Sequence, residues 1–317
     1  MIQVKDITKK YGSFVAVDKL NFEINDGEII GLLGPNGAGK STTMNILTGF
    51  IEATEGSVLI DGENISENSK EAKKKIGYMP ENIPLYLDLK VKEFIKFMAE
   101  LRYVPKNNIK SEVEETMKKV GLMDVQNRLI KNLSRGYKQR VSLAGAIVGN
   151  PKIIILDEPT VGLDPKQIIE TRELIKSLGK DHTIILSSHI LSEVSQVCEK
   201  VIIINKGKLV VIDTPENLEK IVKEKNNIII TVEDKNEKMM KLQDDYEEII
   251  KIELIKDNED GTKQYSVLSD SNIDLRKKLF EILPQNNITI FELKKEESNL
   301  EDAFIKIINK ETKGGEN

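Results

Sequence analysis

An α/β fold, in which buried parallel strands alternate with helices, is what this sequence of 317 residues predicts. Two aliphatic runs that end in polar residues indicate its central strands: residues 153–156 precede Asp157 and Glu158, and residues 184–188 precede His189. Such runs are typical of parallel strands that are buried on both faces. A third run, residues 28–33, leads into a glycine-rich loop and then a helix-compatible segment. This strand–loop–helix order completes the prediction of an α/β core.

The glycine-rich loop, GPNGAGKST at residues 34–42, fits the phosphate-binding pattern G-x-x-x-x-G-K-[ST]. Its glycines let successive backbone N–H groups form an anion nest, and the following helix N-terminus adds positive charge. Lys40 can reach the β- and γ-phosphates, and the Ser41 hydroxyl can ligate Mg²⁺. A glycine-rich turn that matches by accident is the alternative, but the strand–loop–helix context favours a nucleoside triphosphate site. The nucleotide contacts predicted in this loop are Asn36, Gly37, Ala38, Gly39, Lys40, Ser41 and Thr42.

The two carboxylates after the 153–156 strand indicate what happens to the triphosphate. Asp157, at the strand's end, is placed to hold Mg²⁺ through a water, and Glu158 can orient or deprotonate an attacking water. A solvated acidic turn after a strand is the alternative, and it would be preferred if the phosphate-binding loop were absent. Together the two motifs predict hydrolysis of the nucleotide.

The order of the remaining motifs resembles that of the ATP-binding cassette (ABC) ATPases. LSRGYKQR at residues 133–140 stands just upstream of the acidic strand, VGLD at 161–164 follows it, and SSH at 187–189 comes later. With Tyr11 near the start, the resemblance covers residues 1–220. The octapeptide is similar to the family signature L-S-G-G-Q, although Arg135 replaces the first paired glycine and Tyr137 the glutamine.

The resemblance implies a P-loop NTPase (RecA-like) core with an antiparallel β subdomain and a helical subdomain at 84–145. It also implies a homodimer, induced by ATP, in which two chains face head to tail around two ATP molecules. The signature of one chain, Ser134, Arg135 and Gly136, would then meet the nucleotide on the phosphate loop of the other. Asp164 would lie at the seam and His189 at the γ-phosphate. The other histidine, His182, is given no role.

Three further contacts come from the same resemblance. Tyr11 is expected to stack on adenine, with Val17 against the other side of the base or ribose. The loop at residues 76–81 carries Glu81 where the family has a glutamine that touches Mg²⁺ and the attacking water. A carboxylate can still ligate the ion and accept from water; a loop acid without a nucleotide contact is the alternative. The predicted metal set is therefore Ser41, Glu81 and Asp157, and the predicted catalytic set is Lys40, Glu81, Glu158, Asp164 and His189.

Composition limits the partners and the location. The net charge is −5 with 31% charged residues, which argues against binding to nucleic acid. The single cysteine, Cys198, excludes an intramolecular disulfide and favours a reducing cytoplasm. No apolar run approaches the roughly 20 residues that cross a bilayer. We therefore expect a cytoplasmic protein that is peripheral on the inner face of the membrane through its partner; the abundance of Lys, Ile, Asn and Glu is typical of a bacterial source.

The last third of the chain predicts a second, small α+β domain. Strands at 228–232, 249–255, 264–268 and 288–293, with helical segments between them, suggest a ferredoxin-like order at residues 226–310. A helix around Leu275, Leu279 and Ile282 is expected to end before Pro284. Residues 298–304 resemble the closing helix of an appendage found on many exporter cassettes, and residues 311–317 are expected to be disordered.

The sequence thus predicts the ATP-hydrolysing subunit of an ABC exporter that works through a separate integral membrane permease. Exposed members of residues 83–87 could line a cleft where a helix of that permease docks, although most apolar residues of the helical subdomain are expected to be core. Two alternatives remain: a soluble cassette ATPase that remodels ribosomes or DNA, and a nucleotide sensor without turnover. The single cassette and the absence of a basic insertion speak against the first. Glu158 and His189 speak against the second.

Overall fold

The computed structural model describes residues 1–67, 69–82, 84–222, 225–234, 238–270 and 273–295. The chain divides into two compact units, the first ending at Pro215 and the second beginning at Glu216. Residues 298–304 and 311–317, and Ile83 of the predicted docking segment, lie outside the described residues. No helix within the described ranges has the length and apolar character needed to cross a membrane.

Two sheets and a set of helices build the first unit. A parallel sheet has the order β10-β9-β3-β8-β7-β6, with only β10 antiparallel to its neighbour, and an antiparallel sheet has the order β2-β1-β4-β5. The strands are β1 (Ile2–Tyr11), β2 (Phe14–Ile24), β3 (Ile29–Leu33), β4 (Glu55–Ile60), β5 (Glu63–Asn64), β6 (Ile76–Met79), β7 (Ile153–Leu156), β8 (Thr183–Ser188), β9 (Lys200–Asn205) and β10 (Lys208–Asp213).

The helices of this unit lie between the strands and after the last of them. Short 3₁₀ turns at Met123–Val125 and Ile130–Asn132 precede the signature helix. The α-helices are α1 (Lys40–Leu47), α2 (Ser69–Lys74), α3 (Val91–Leu101), α4 (Ile109–Lys119), α5 (Arg135–Ile147), α6 (Pro165–Leu178), α7 (Leu191–Val194) and α8 (Pro215–Val222), the last at the division between the units.

Burial on both faces explains the central sheet. Every residue of β3, β7 and β8 is buried, as the aliphatic runs predict for interior parallel strands. Their parallel registers align Leu33 of β3 with Ser188 of β8, and Leu156 of β7 with Leu186 of β8. Because the carboxyl ends of parallel strands meet at one edge, the residues that follow these strands are brought together there.

A charged cluster links the two sheets. Lys152, just before β7, donates to the Oδ1 atom of Asp61, just after β4, at 2.6 Å. This hydrogen bond is the main reason that the pKa of Asp61 is held well below its usual range, and the pKa of Lys152 is raised in turn. Both side chains keep some contact with solvent, so the pair contributes about 1 kcal/mol or less.

The second unit is an antiparallel sheet of order β12-β13-β11-β14, connected as β-α-β-β-α-β, which is a ferredoxin-like arrangement. Its apolar core lies between the sheet and α10, with Tyr265 and Leu283 both almost fully buried. Its elements are β11 (Lys225–Glu233), a 3₁₀ turn (Met239–Lys241), α9 (Leu242–Asp245), β12 (Ile249–Asp257), β13 (Lys263–Asp270), α10 (Arg276–Gln285) and β14 (Thr289–Lys295).

Two boundaries differ from the sequence prediction. α10 runs through Pro284 to Gln285 instead of ending before the proline. Pro284 is the next-to-last residue of the helix, and it is tolerated there because its missing N–H removes only one backbone hydrogen bond. β11 begins at Lys225, ahead of the strand that the sequence predicts at 228–232; Lys225 and Asn226 pair with β13, so the cross-strand ladder determines the conformation there.

Strand β6 and helix α5 approach so closely that only glycine fits at residue 77. A Cβ atom on Gly77 would lie 2.1 Å from the carbonyl oxygen of Ala146. Because that contact is with backbone, no side-chain rotation relieves it. The signature helix is therefore seated directly on the strand that leads to Glu81.

We expect Gly77→Ala to destabilise the first unit by about 1–3 kcal/mol, the usual cost of overpacking. Scanning calorimetry with and without ATP identifies the transition of this unit and measures its midpoint. The matched control is Gly62→Ala, where a Cβ meets nothing within 4 Å and only the left-handed φ of +83° opposes the change. A Gly77→Ala midpoint no lower than that of the control would contradict the close approach.

Candidate functional site

The phosphate-binding loop lies between β3 and α1, as predicted. Gly37 and Gly39 have φ angles of +79° and +103°, which residues with a Cβ atom rarely adopt. A Cβ on Gly39 would also lie 2.6 Å from the carbonyl oxygen of Ala16. The N-terminus of α1 has no acidic residue in its first turn, so its positive end faces the loop. The loop thus has the backbone geometry of an anion-binding nest.

Lys40 is buried at the head of α1 and reaches back over the loop. Its ammonium donates to the carbonyl oxygens of Gly34 at 2.8 Å and Pro35 at 3.4 Å. The same nitrogen lies 3.7 Å from the Oε1 atom of Glu158, and both side chains are almost fully buried. The lysine thus joins the phosphate loop to the end of β7.

The ends of β7 and β8 are joined through Ser187. Its hydroxyl donates to the Oδ1 atom of Asp157 at 2.5 Å and accepts from the backbone N–H of Glu158 at 2.9 Å. The Nδ1 atom of His189 is 3.2 and 3.1 Å from the two carboxylate oxygens of Glu158. The Glu158 carboxylate is therefore held between a histidine and a lysine, the setting expected of a base beside a phosphate.

A cavity of about 510 Å³ opens in front of these groups. It brings together most of the predicted loop contacts with Glu81, Glu158 and His189. Sequence reasoning missed Phe14, Ala16 and Val161. The lining residues are Phe14, Ala16, Asn36, Gly37, Gly39, Lys40, Ser41, Thr42, Glu81, Glu158, Val161 and His189.

Several predicted nucleotide contacts lie elsewhere. Val17 has no exposed surface and belongs to the apolar core, so the expected contact of its side chain with the base is not supported. Ala38 is buried, and its N–H donates to the carbonyl oxygen of Pro35 within the loop. Tyr11 is half exposed beside the Lys9 ammonium and does not line the cavity, whereas Phe14, its partner across the hairpin, does. The sequence held one indication of this: Phe14 is a second aromatic residue, three positions after Tyr11.

Two carboxylates near the cavity act on a neighbouring tyrosine. Burial and the charges of Asp157 and Glu81 raise the pKa of Tyr78 to about 12. Its hydroxyl donates to the Oδ1 atom of Asn45 on α1 at 3.2 Å. Glu81 and Ser41 of the predicted metal set line the cavity, and Asp157 lies at the end of β7 beside Glu158.

The signature residues form a separate surface. Ser134 caps α5 by accepting from the N–H of Tyr137 at 3.4 Å, and Asp164 caps α6 by accepting from that of Gln167 at 2.9 Å. A Cβ on Gly136 would meet Gln167 at 2.6 Å. None of Ser134, Gly136 and Asp164 lines the 510 Å³ cavity. The structure does not bring them to the phosphate loop of their own chain.

Arg135 has a different place. Its guanidinium packs on Gly162, where a Cβ would lie 2.0 Å from the Cζ atom. It also lines a smaller cavity of about 250 Å³ that adjoins Glu81, Gln139, Glu158 and Val161. The arginine that departs from the family signature thus faces the segment following Glu158 in its own chain.

A phosphate loop after a parallel strand, with a buried glutamate and a histidine on neighbouring strand ends, defines a P-loop nucleoside triphosphatase. The chain belongs to the ABC transporter family, whose model matches residues 17–161. It is an ATP-hydrolysing subunit of an ABC transporter.

Three comparisons support this membership. A bacitracin transport ATP-binding protein of Bacillus licheniformis is 36% identical over 326 residues, covering 99% of each chain. A lantibiotic transport ATP-binding protein of Streptococcus pyogenes is 39% identical over 225 residues, covering 70% of this chain and 95% of the relative. A solved dimeric ATP-binding cassette in a post-hydrolysis state, bound to ADP and Pi, has a TM-score of 0.62 at 28% identity, covering 68% and 98%.

Because Phe14 and not Tyr11 lines the cavity, we expect Phe14→Ala to weaken ATP binding about tenfold, in line with about 1–3 kcal/mol for stacking on a base. Tyr11→Ala is the matched comparison and should have the smaller effect. Titration calorimetry with ATP measures both, and inorganic triphosphate, which has no base, should bind all three proteins alike. A larger loss of ATP affinity in Tyr11→Ala than in Phe14→Ala would show that the adenine base stacks on Tyr11.

Proposed function

We propose that two copies of this chain close head to tail around two Mg-ATP and drive export through a separate membrane subunit. The observation that carries the proposal is the Glu158 carboxylate, buried beside the phosphate loop between Lys40 and His189. A carboxylate held in this way can accept a proton from a water that lies beside the γ-phosphate and attacks it.

The division of the site into two surfaces supports the dimer. Ser134, Gly136 and Asp164 lie away from the cavity that holds the phosphate loop of the same chain. Ser134 stands at the N-terminus of α5, a position suited to an anion. A second copy related by a two-fold axis would place this surface on the γ-phosphate of its partner. The related cassette with ADP and Pi is itself described as dimeric.

The main polar groups of the shared site then have these roles. The loop N–H groups, Lys40 and Thr42 bind the phosphates, and Glu158 orients and deprotonates the attacking water. His189, with Nδ1 facing Glu158, has its other ring nitrogen left for the γ-phosphate. Asp164 of the second copy completes the site at the seam.

The donors near Tyr78 fit Mg²⁺. Asp157 is a buried carboxylate fixed by Ser187, Glu81 and Ser41 line the cavity, and such sparse hard oxygen ligands are usual where Mg²⁺ is held largely by substrate phosphates. No group of three or more His, Cys, Asp or Glu among the described residues forms a metal cage of its own. When bound, the ion would offset the negative charge of the phosphates.

The cargo we infer is an antibiotic of the kind for which the relatives are named. The relatives are named for the transport of bacitracin and of lantibiotics, and another, from Bacillus subtilis, for linearmycin resistance. These names favour a transport subunit over an ATPase that remodels ribosomes or DNA. The chain would sit on the cytoplasmic face of the membrane, bound to an integral membrane permease.

Glu158→Gln should lower the ATP turnover rate at least about a hundredfold, because the amide cannot accept the proton of the attacking water. It should also trap an ATP-dependent dimer, visible by size-exclusion chromatography with light scattering. The matched control, Glu52→Gln, changes an exposed glutamate and should behave as the parent does. Parental turnover in Glu158→Gln would show that another group is the base.

The membrane partner is tested by purifying the Glu158→Gln chain from detergent-solubilised native membranes with Mg-ATP present. We expect one polytopic protein to co-purify in a fixed ratio, because the ATP-bound dimer is the form that engages it. Omission of ATP is the control. Recovery of ribosomes or nucleic acid in place of that protein would contradict the transport function.

A further inference from the structure

The turn that carries Glu158 has an unusual backbone held by side chains from three elements. Glu158 has a φ of +49°, a left-handed conformation that costs roughly 1 kcal/mol or more for a residue with a Cβ atom. Ser187 of β8 accepts from the Glu158 N–H at 2.9 Å. The Thr160 hydroxyl donates to the Oε2 atom of Glu193 on α7 at 2.6 Å. The strained turn therefore depends on its supports.

The third support comes from the signature helix. The Nε2 atom of Gln139 on α5 donates to the carbonyl oxygen of Pro159 at 2.8 Å, and the Gln139 side chain is buried. Pro159 directly follows Glu158. Gln139 also lines the 250 Å³ cavity together with Glu158. The amide thus ties α5 to the residue next to the proposed base.

The three supports come from different parts of the chain, two from segments next to His189 and one from the signature helix. Ser187 and Glu193 belong to β8 and α7, the segments on either side of His189, within the same core as β7. Gln139 lies on the helix that begins beside Ser134. Because a helix moves as a rigid rod, a shift of its N-terminus carries Gln139 with it.

We propose that Gln139 is a positioning residue that transmits the placement of the signature helix to the carboxylate of Glu158. This rests on the proposed function, in which α5 of one chain touches the γ-phosphate bound by the other. When α5 is seated on that phosphate, the Gln139–Pro159 hydrogen bond aligns Glu158 in its own chain. Hydrolysis at one site is thereby linked to ATP bound at the other.

The first test is Gln139→Met, which keeps the size of the side chain and removes the donor. The kcat for ATP should fall about tenfold, as loss of one buried hydrogen bond predicts. The KM for ATP should stay within twofold, and the Gln139→Met/Glu158→Gln chain should trap the ATP dimer as Glu158→Gln does. Gln139→Leu, which also removes the donor, should reproduce the loss of kcat.

The second test separates transmission from simple support of the turn. Combined with Ser134→Ala, Gln139→Met should lower kcat little further, because the signal it carries is already lost. Thr160→Val is the matched control: it removes the support from α7 and should lower kcat by the same factor with or without Ser134→Ala.

Three results would overturn the proposal: unchanged kcat in both Gln139 variants, a KM raised together with a lost dimer, or losses that multiply in the Ser134→Ala combination. Failure of the proposed function looks different. In that case Glu158→Gln alone forms no ATP-dependent dimer, whatever residue 139 is.

Discussion

The approach of the Glu158 carboxylate to the Lys40 ammonium, 3.7 Å apart, is the contact on which the rest of the site depends. It exists because β3, β8 and β7 are adjacent and parallel, so their carboxyl ends open at one edge. Complete burial of these strands confines the polar groups to that edge. The apolar core thus sets where the phosphate chemistry is possible.

The remaining machinery lies on surfaces that one chain cannot bring to its own phosphate loop. Ser134 and Asp164 are used as helix caps, which fixes them in place and presents helix N-termini outward. Helix N-termini are suited to anions, and in the proposed two-fold dimer that anion would be the γ-phosphate bound by the partner chain. In such a dimer Gln139 would link the position of the signature helix to Glu158 of the same chain, since it joins that helix to the turn at Glu158.

Much of this site could be predicted from sequence, because its residues stand at strand ends and in loops whose patterns are local. Lys40, Glu158 and His189 were predicted in this way, and the structure brings them together. Val17 and Phe14 were not: register shifts between β1 and β2 break the alternation of buried and exposed residues, so Ala16 and Val17 are both buried. The Gln139–Pro159 contact joins residues 20 apart in sequence through a side chain, and no periodicity reveals it. The pairing of Lys225 with β13 is likewise a contact between residues far apart in sequence, so no local pattern predicts it.

Mixing two inactive variants tests the central claim most directly. Lys40→Ala removes the phosphate-binding lysine, and Ser134→Arg blocks the signature; each alone should be inactive. In a mixed head-to-tail dimer one of the two sites combines an intact phosphate loop with an intact signature. With statistical mixing about one quarter of the sites are complete. Because the opposite site of a mixed dimer binds no ATP, the linkage through Gln139 should lower the rate of these sites about tenfold, so that about one fortieth of the parental ATPase activity should return. A mixture as inactive as either variant alone would contradict a site shared between two chains.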